Sequence, residues 1–189
     1  LNNDSEPTDI VEPTFNLFQI RHMALRNVVY HQARMRVLDR RNRWATFITL
    51  VLGTAVAADI GKSHLGTDIT TLLLGGSVAV IGAAQLVFDF GGLARLHQIL
   101  HRDFTRLLAE TMKEDRPSAD QCRNWTARIV DIGADAPPVL RALDAVADNE
   151  ANDTLGALPT DRLVVSYWQN CTKHWLAHAG VRFKRIGEA

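Results

Sequence analysis

Two stretches of the chain carry no charge and no polar face, and they limit what the rest can be. From Trp44 to Ala58 runs WATFITLVLGTAVAA, 15 residues without a charged side chain. From Ile69 to Phe88 runs ITTLLLGGSVAVIGAAQLVF, 20 residues with Gln85 as the one amide. As a helix, the second would be about 30 Å long, the thickness of a bilayer core. The first would be about 22 Å long. It reaches spanning length by extending through Asp59 and Ile60, or where the bilayer is thin. A helix that is apolar all round is a membrane span or the centre of a large core. A chain of 189 residues has little with which to surround two of them.

The flanks fit a transmembrane hairpin with spans at about 44–60 and 69–90. Arg34, Arg36, Arg40, Arg41 and Arg43 precede the first run, and Arg95, Arg102 and Arg106 follow the second. The loop between them, IGKSHLGTD, holds Lys62 as its one base. The positive-inside rule then puts both ends in the cytoplasm, with the protein in the inner (cytoplasmic) membrane. Arg36, Arg40, Arg41, Arg43 and Arg95 are expected at the membrane interface, beside Trp44, Phe88 and Phe90. Asp59 and Asp89 stand at opposite ends of the runs. They are interfacial acids or, in an oligomer, rings of carboxylate at the two mouths of a pore. Gly75, Ala79, Gly82 and Ala83 form a small-residue face for close helix packing, as in a homo-oligomer. In a soluble helix each such glycine would cost about 1 kcal/mol relative to alanine. The competing reading is a helical hairpin buried inside a soluble bundle.

Residues 1–13 are acidic, lack an apolar core and read as a disordered lead-in. Thr14 is a candidate cap for a helix from about Phe15 to Arg43, able to run on into the first span. After the second span, Leu93, Leu96, Leu100, Phe104, Leu107 and Leu108 fall on one helical stripe that ends before Pro117. His97 and His101 flank that stripe. Residues 14–116 thus form the hairpin with its flanking helices, and 117–189 a C-terminal helical region. Within that region, helices are expected at about Ser118–Gly133, from Pro137-Pro138 to near Ala151, and from Thr160-Asp161 to about Ala179. No strand alternation is visible, so the fold class is all-α, with long amphipathic cytosolic helices forming a bundle.

Basic and acidic residues balance at 21 each, so no net positive field favours nucleic acid. The two cysteines, Cys122 and Cys171, read as reduced thiols. Cys171, His174 and His178 have a spacing that could place three metal ligands on one helical face, but no second ligand group accompanies them. No phosphate loop and no nucleophile elbow is present. No enzyme activity, cofactor or metal is expected.

The basic run RMRVLDRRNRW, the glycine-bearing hairpin after it and LARLHQILHRDFTRLLAE together resemble the SLATT family over about residues 15–115. Ala94, His97, Phe104 and Leu107 carry the pattern in the last segment. These are two-transmembrane effector domains of prokaryotic conflict systems, found with nucleotide-producing and nucleotide-sensing proteins. The resemblance implies a membrane-embedded homo-oligomer whose spans form a pore or ion channel that harms the cell when a sensor is triggered, as in antiviral defence. It implies the lipid bilayer and a nucleotide-sensing or nucleotide-producing protein as partners. The alternative is a membrane-anchored or soluble all-α adaptor without pore activity.

Overall fold

The computed structural model describes residues 15–62 and 69–188, with side chains for all of these except 59–62, 70 and 188. The main elements among the described residues are helices: α1 (Leu17–Lys62), α2 (Ile69–Phe88), α3 (Phe90–Met112), α4 (Ala119–Ala134), α5 (Arg141–Leu155) and the short α6 (Tyr167–Thr172). Two single 3₁₀ turns, Pro159–Asp161 and Ile186–Glu188, lie near the end of the chain. The strand-like feature among these residues is one isolated antiparallel bridge, Leu163 to Arg185.

The basic helix and the first apolar run are one 46-residue helix, about 69 Å long at the standard rise. Its start is set by a reciprocal cap. Asn16 Oδ1 accepts from the Gln19 N–H at 2.8 Å, and Gln19 Oε1 accepts from the Asn16 N–H at 3.0 Å. Asn16 therefore holds the end expected of Thr14, which lies outside the described residues.

The chain then returns antiparallel along α1, first as α2 and then as α3. Gln85 meets Thr46 and Thr49, Gly91 lies beside Asn42, His97 meets His31, and Arg21 meets the Thr111 carbonyl. Along α3 the buried residues are Ala94, His97, Leu100, Phe104, Leu107 and Thr111. From His97 to Thr111 they repeat as the a and d positions of a heptad, and Ala24, His31 and Leu38 answer at seven-residue intervals on α1. His97 is thus in the centre of the buried stripe, where the leucine pattern had placed it at the flank. The stripe is rotated because His31 opposite offers it a polar partner.

The remaining helices cover this pair at the end away from the apolar runs. Trp125 and Cys122 of α4 pack with Ile20 and Leu107, and Leu143 and Ala147 of α5 pack on Tyr30. Helix α4 matches the expected Ser118–Gly133 segment, with Ser118 and Gln121 as a capping box. Helix α5 begins at Arg141, later than Pro137-Pro138 suggested, because the Tyr30 hydroxyl accepts from the Leu140 N–H at 3.0 Å and holds the preceding residues extended.

The long helix expected from Thr160 to Ala179 does not form. Asn149 takes both backbone groups of Leu163, at 2.6 and 2.9 Å, which commits that residue to extended backbone. Helix restarts only at the Ser166–Gln169 capping box and stops after six residues.

Candidate functional site

The apolar runs lie side by side and leave most of their surface uncovered. Leu72, Leu73, Val80, Leu86, Val87 and Phe88 on α2 are exposed, as are Phe47, Leu50 and Val51 on α1. Among the described residues one stretch, Thr71–Met112, is long and apolar enough to cross a membrane by length and composition, and its apolar part has nothing buried. Several polar side chains in these runs are hydrogen-bonded within the chain, although Thr46, Thr54 and Ser77 are themselves exposed. Gln85 donates to Thr46 at 3.3 Å across the helix pair and lies 3.4 Å from the Thr49 hydroxyl. Thr49, Thr54 and Ser77 reach helix carbonyls one turn earlier.

The small residues divide over this surface. Gly75 and Gly82 are half-buried, whereas Ala79 and Ala83 are exposed. A Cβ added at Gly75, Gly76 or Gly82 would meet nothing within 4 Å. Close packing within one chain therefore does not require these glycines.

Below the apolar runs the arginines form a collar. Arg36, Arg40 and Arg43 line an open groove of about 530 Å³ with Asp39, Trp44 and Phe47. Arg43 pairs with Asp39 at 2.9 Å. Arg95 lines a second groove on the α3 side with Arg36, Arg43 and Gln98. Arg41 has a different place. Its guanidinium lies 3.6 Å from the centre of the Trp175 ring. With Arg34 it donates to the His174 carbonyl, at 3.3 Å from Arg41 and 3.0 Å from Arg34. Arg41 thus ties the C-terminal segment to α1, a contact that the basic run in the sequence did not reveal.

Asp89 is the single residue between α2 and α3. Its backbone is left-handed, φ 36°, a region that aspartate tolerates better than most residues. Its Oδ1 accepts from the Gly92 N–H at 3.0 Å, capping α3. Gly92 is required by this cap, because a Cβ there would fall 2.1 Å from Asp89 Oδ2. Gly92→Ala and Asp89→Ala are each expected to cost about 1 kcal/mol of stability through loss of the cap, measurable by chemical denaturation in detergent. The double variant should cost little more than either alone, since both remove the same contact. The side chain of Asp59 lies outside the described residues.

The other half of the molecule holds a buried polar seam that sequence reasoning missed. His31 Nδ1 and His97 Nδ1 are 2.8 Å apart, so one neutral ring donates and the other accepts. His31 stacks on Phe104, and Tyr30 presents its edge to both imidazoles. Burial, with His97 and His101 nearby, pulls His31 down to about 3. Burial and the Arg34 charge pull His97 down to about 4. Further from the collar, Asp148 is buried beside His22 at 3.5 Å and accepts from Asn152 at 3.2 Å, and Arg26 lies 3.4 Å from Asp144. Burial raises the Asp144 carboxyl above its usual range. The seven-residue spacing of Ala24, His31 and Leu38 was the available signal for His31. Nothing in the sequence paired His22 with Asp148.

Cys171, His174 and His178 do not share a helical face, because α6 ends at Thr172 and His178 has a left-handed backbone, φ 48°. His178 Nε2 is instead 2.9 Å from the Thr172 hydroxyl. No group of three metal-binding side chains occurs among the described residues. Cys122 is buried, Cys171 is exposed, and both are free thiols. Comparison with family models, curated proteins and solved structures finds no match to this chain.

Proposed function

We propose that the chain is an inner-membrane protein whose two apolar runs cross the bilayer as a hairpin, and that copies of it assemble into a pore or membrane-perturbing effector of a prokaryotic defence system. The observation that carries this reading is the pairing of opposites along residues 44–88. Large apolar side chains are exposed, while Thr46, Thr49, Thr54, Ser77 and Gln85 are hydrogen-bonded within the chain. Water favours the reverse arrangement; hydrocarbon requires this one. The resemblance to the SLATT family supports the effector role and a nucleotide-linked sensor as the trigger. Both termini lie in the cytoplasm in this reading, with the arginine collar at the inner headgroups and Asp89 at the inner mouth.

The test is ion flux from liposomes carrying the purified full chain. Ala79→Leu and Ala83→Leu are the decisive variants, because both positions are exposed and a larger side chain there extends away from the rest of the chain. Flux in the wild type and at least tenfold less in these variants, with unchanged membrane insertion, is the expected result. A tenfold change corresponds to about 1.4 kcal/mol of packing between chains. An inserted wild type without flux would leave a membrane anchor for cytosolic helices and remove the pore.

A further inference from the structure

The C-terminal segment after α6 folds back toward the arginine collar, where the structure gives it three fastenings. Arg34 and Arg41 both donate to the His174 carbonyl. The Arg141 N–H at the start of α5 donates to the Ala177 carbonyl at 3.2 Å. The Thr172 hydroxyl and His178 Nε2 close the base at 2.9 Å. Between these ties sit Trp175 and Leu176. One face of the Trp175 ring covers the Arg41 guanidinium, yet Trp175 is 72% exposed and Leu176 47%.

Height along α1 gives this exposure a meaning. Arg41 stands three residues before Trp44, the first residue of the apolar run, which is about 4.5 Å along the helix axis. Trp175 is therefore within one helical turn of the level where the exposed apolar surface begins. Arg36, Arg40 and Arg43 follow one another along one face of α1 up to this level, and Asp39 is the one carboxylate in their groove. An indole with an apolar body and a polar N–H is favoured at a membrane–water interface. A cluster of arginines there is attracted by anionic headgroups.

We propose that the segment His174–Ala177 is a second, peripheral membrane contact, with Trp175 and Leu176 seated at the headgroup level of a bilayer rich in anionic phospholipid. This rests on the reading of the hairpin as membrane-spanning. The segment joins the start of α5 to the bilayer surface, so the C-terminal helices are held close against the membrane rather than hanging from the hairpin alone.

Tryptophan fluorescence in vesicles tests it. The full chain is reconstituted in equal parts of phosphatidylcholine and phosphatidylglycerol, with bromine either near the headgroup or deep in the acyl chains. One variant keeps Trp175 alone (Trp44→Phe, Trp125→Phe, Trp168→Phe), and another keeps Trp44 alone. The expected result is quenching of both, with Trp175 quenched by the shallow label and spared by the deep one. Quenching of Trp44 without quenching of Trp175 would overturn the peripheral contact and leave the hairpin reading intact. Absence of quenching at both would remove the hairpin reading itself. Equal quenching of Trp175 in pure phosphatidylcholine would overturn the part assigned to the arginine collar. If Trp125→Phe unfolds the core, the quenching lost between the wild type and Trp175→Phe alone gives the same answer.

Discussion

Val80→Arg is expected to remove most of the protein from the carbonate-resistant membrane fraction. Val80 lies near the middle of α2 and is 70% exposed. An arginine at the centre of a spanning helix costs about 2.5–3.5 kcal/mol on insertion scales, which is about 70- to 400-fold in the insertion equilibrium. The same substitution on a water-facing helix surface changes stability by less than about 0.5 kcal/mol. Val130 on α4 provides the control, because it too is 70% exposed. Val130→Arg should leave the membrane fraction unchanged. Equal behaviour of the two variants would mean that α2 faces water, and the hairpin would then need another cover, such as further copies of the chain.

Acid is expected to loosen the packing of α3 against α1 through His31 and His97. Each ring titrates lower in the folded protein, at about 3 and about 4, than the usual 6.5. Between those values the unfolded chain binds more protons, so stability is complete above pH 6.5 and falls as the pH drops through the window. The charges acting on the pair are His101 and Arg34, and both oppose protonation. At pH 5 the loss is about 2 kcal/mol for each ring and about 4 kcal/mol for the pair. Denaturation of the detergent-solubilised full chain at pH 7 and pH 5 measures it. Replacing both histidines with leucine should flatten the profile at little cost at pH 7, since both partners of the hydrogen bond are removed together. Either single replacement leaves one buried imidazole nitrogen unpaired and should cost about 1–3 kcal/mol. A profile as steep in the double variant as in the wild type would place the acid sensitivity elsewhere.

The parts of the fold that were legible in the sequence are those set by local signals. The charge-free run 69–88 gave α2 its bounds, and Ser118 with Gln121 gave α4 its start. The all-helical class followed from the same periodicities. What was not legible depends on partners far away in the chain. Tyr30 delays α5 from 110 residues away, and Asn149 prevents a helix at Leu163. Arg34 and Arg41 fix the segment after α6 across more than 130 residues. The Ser166–Gln169 capping box was a local signal, and it marked a restart inside what read as one continuous helix. In the candidate site, the exposure of the apolar runs and the collar were readable. The histidine pair was hidden because a leucine-based stripe gives no weight to a neutral imidazole that has a partner.

The two legs of the hairpin differ in construction. The outgoing leg is one unbroken helix of 46 residues, and the returning leg has a joint of a single residue at Asp89. A strut and a jointed rod respond differently to the same push. Helices α4 and α5 pack against the end of the strut that lies away from the apolar runs. At the joint the Asp89 N–H still donates to the Gln85 carbonyl and the Leu93 N–H to the Asp89 carbonyl, so the rod bends there without losing its backbone hydrogen bonds. A change of angle between α2 and α3 therefore has a single residue in which to occur, whereas α1 offers no such break.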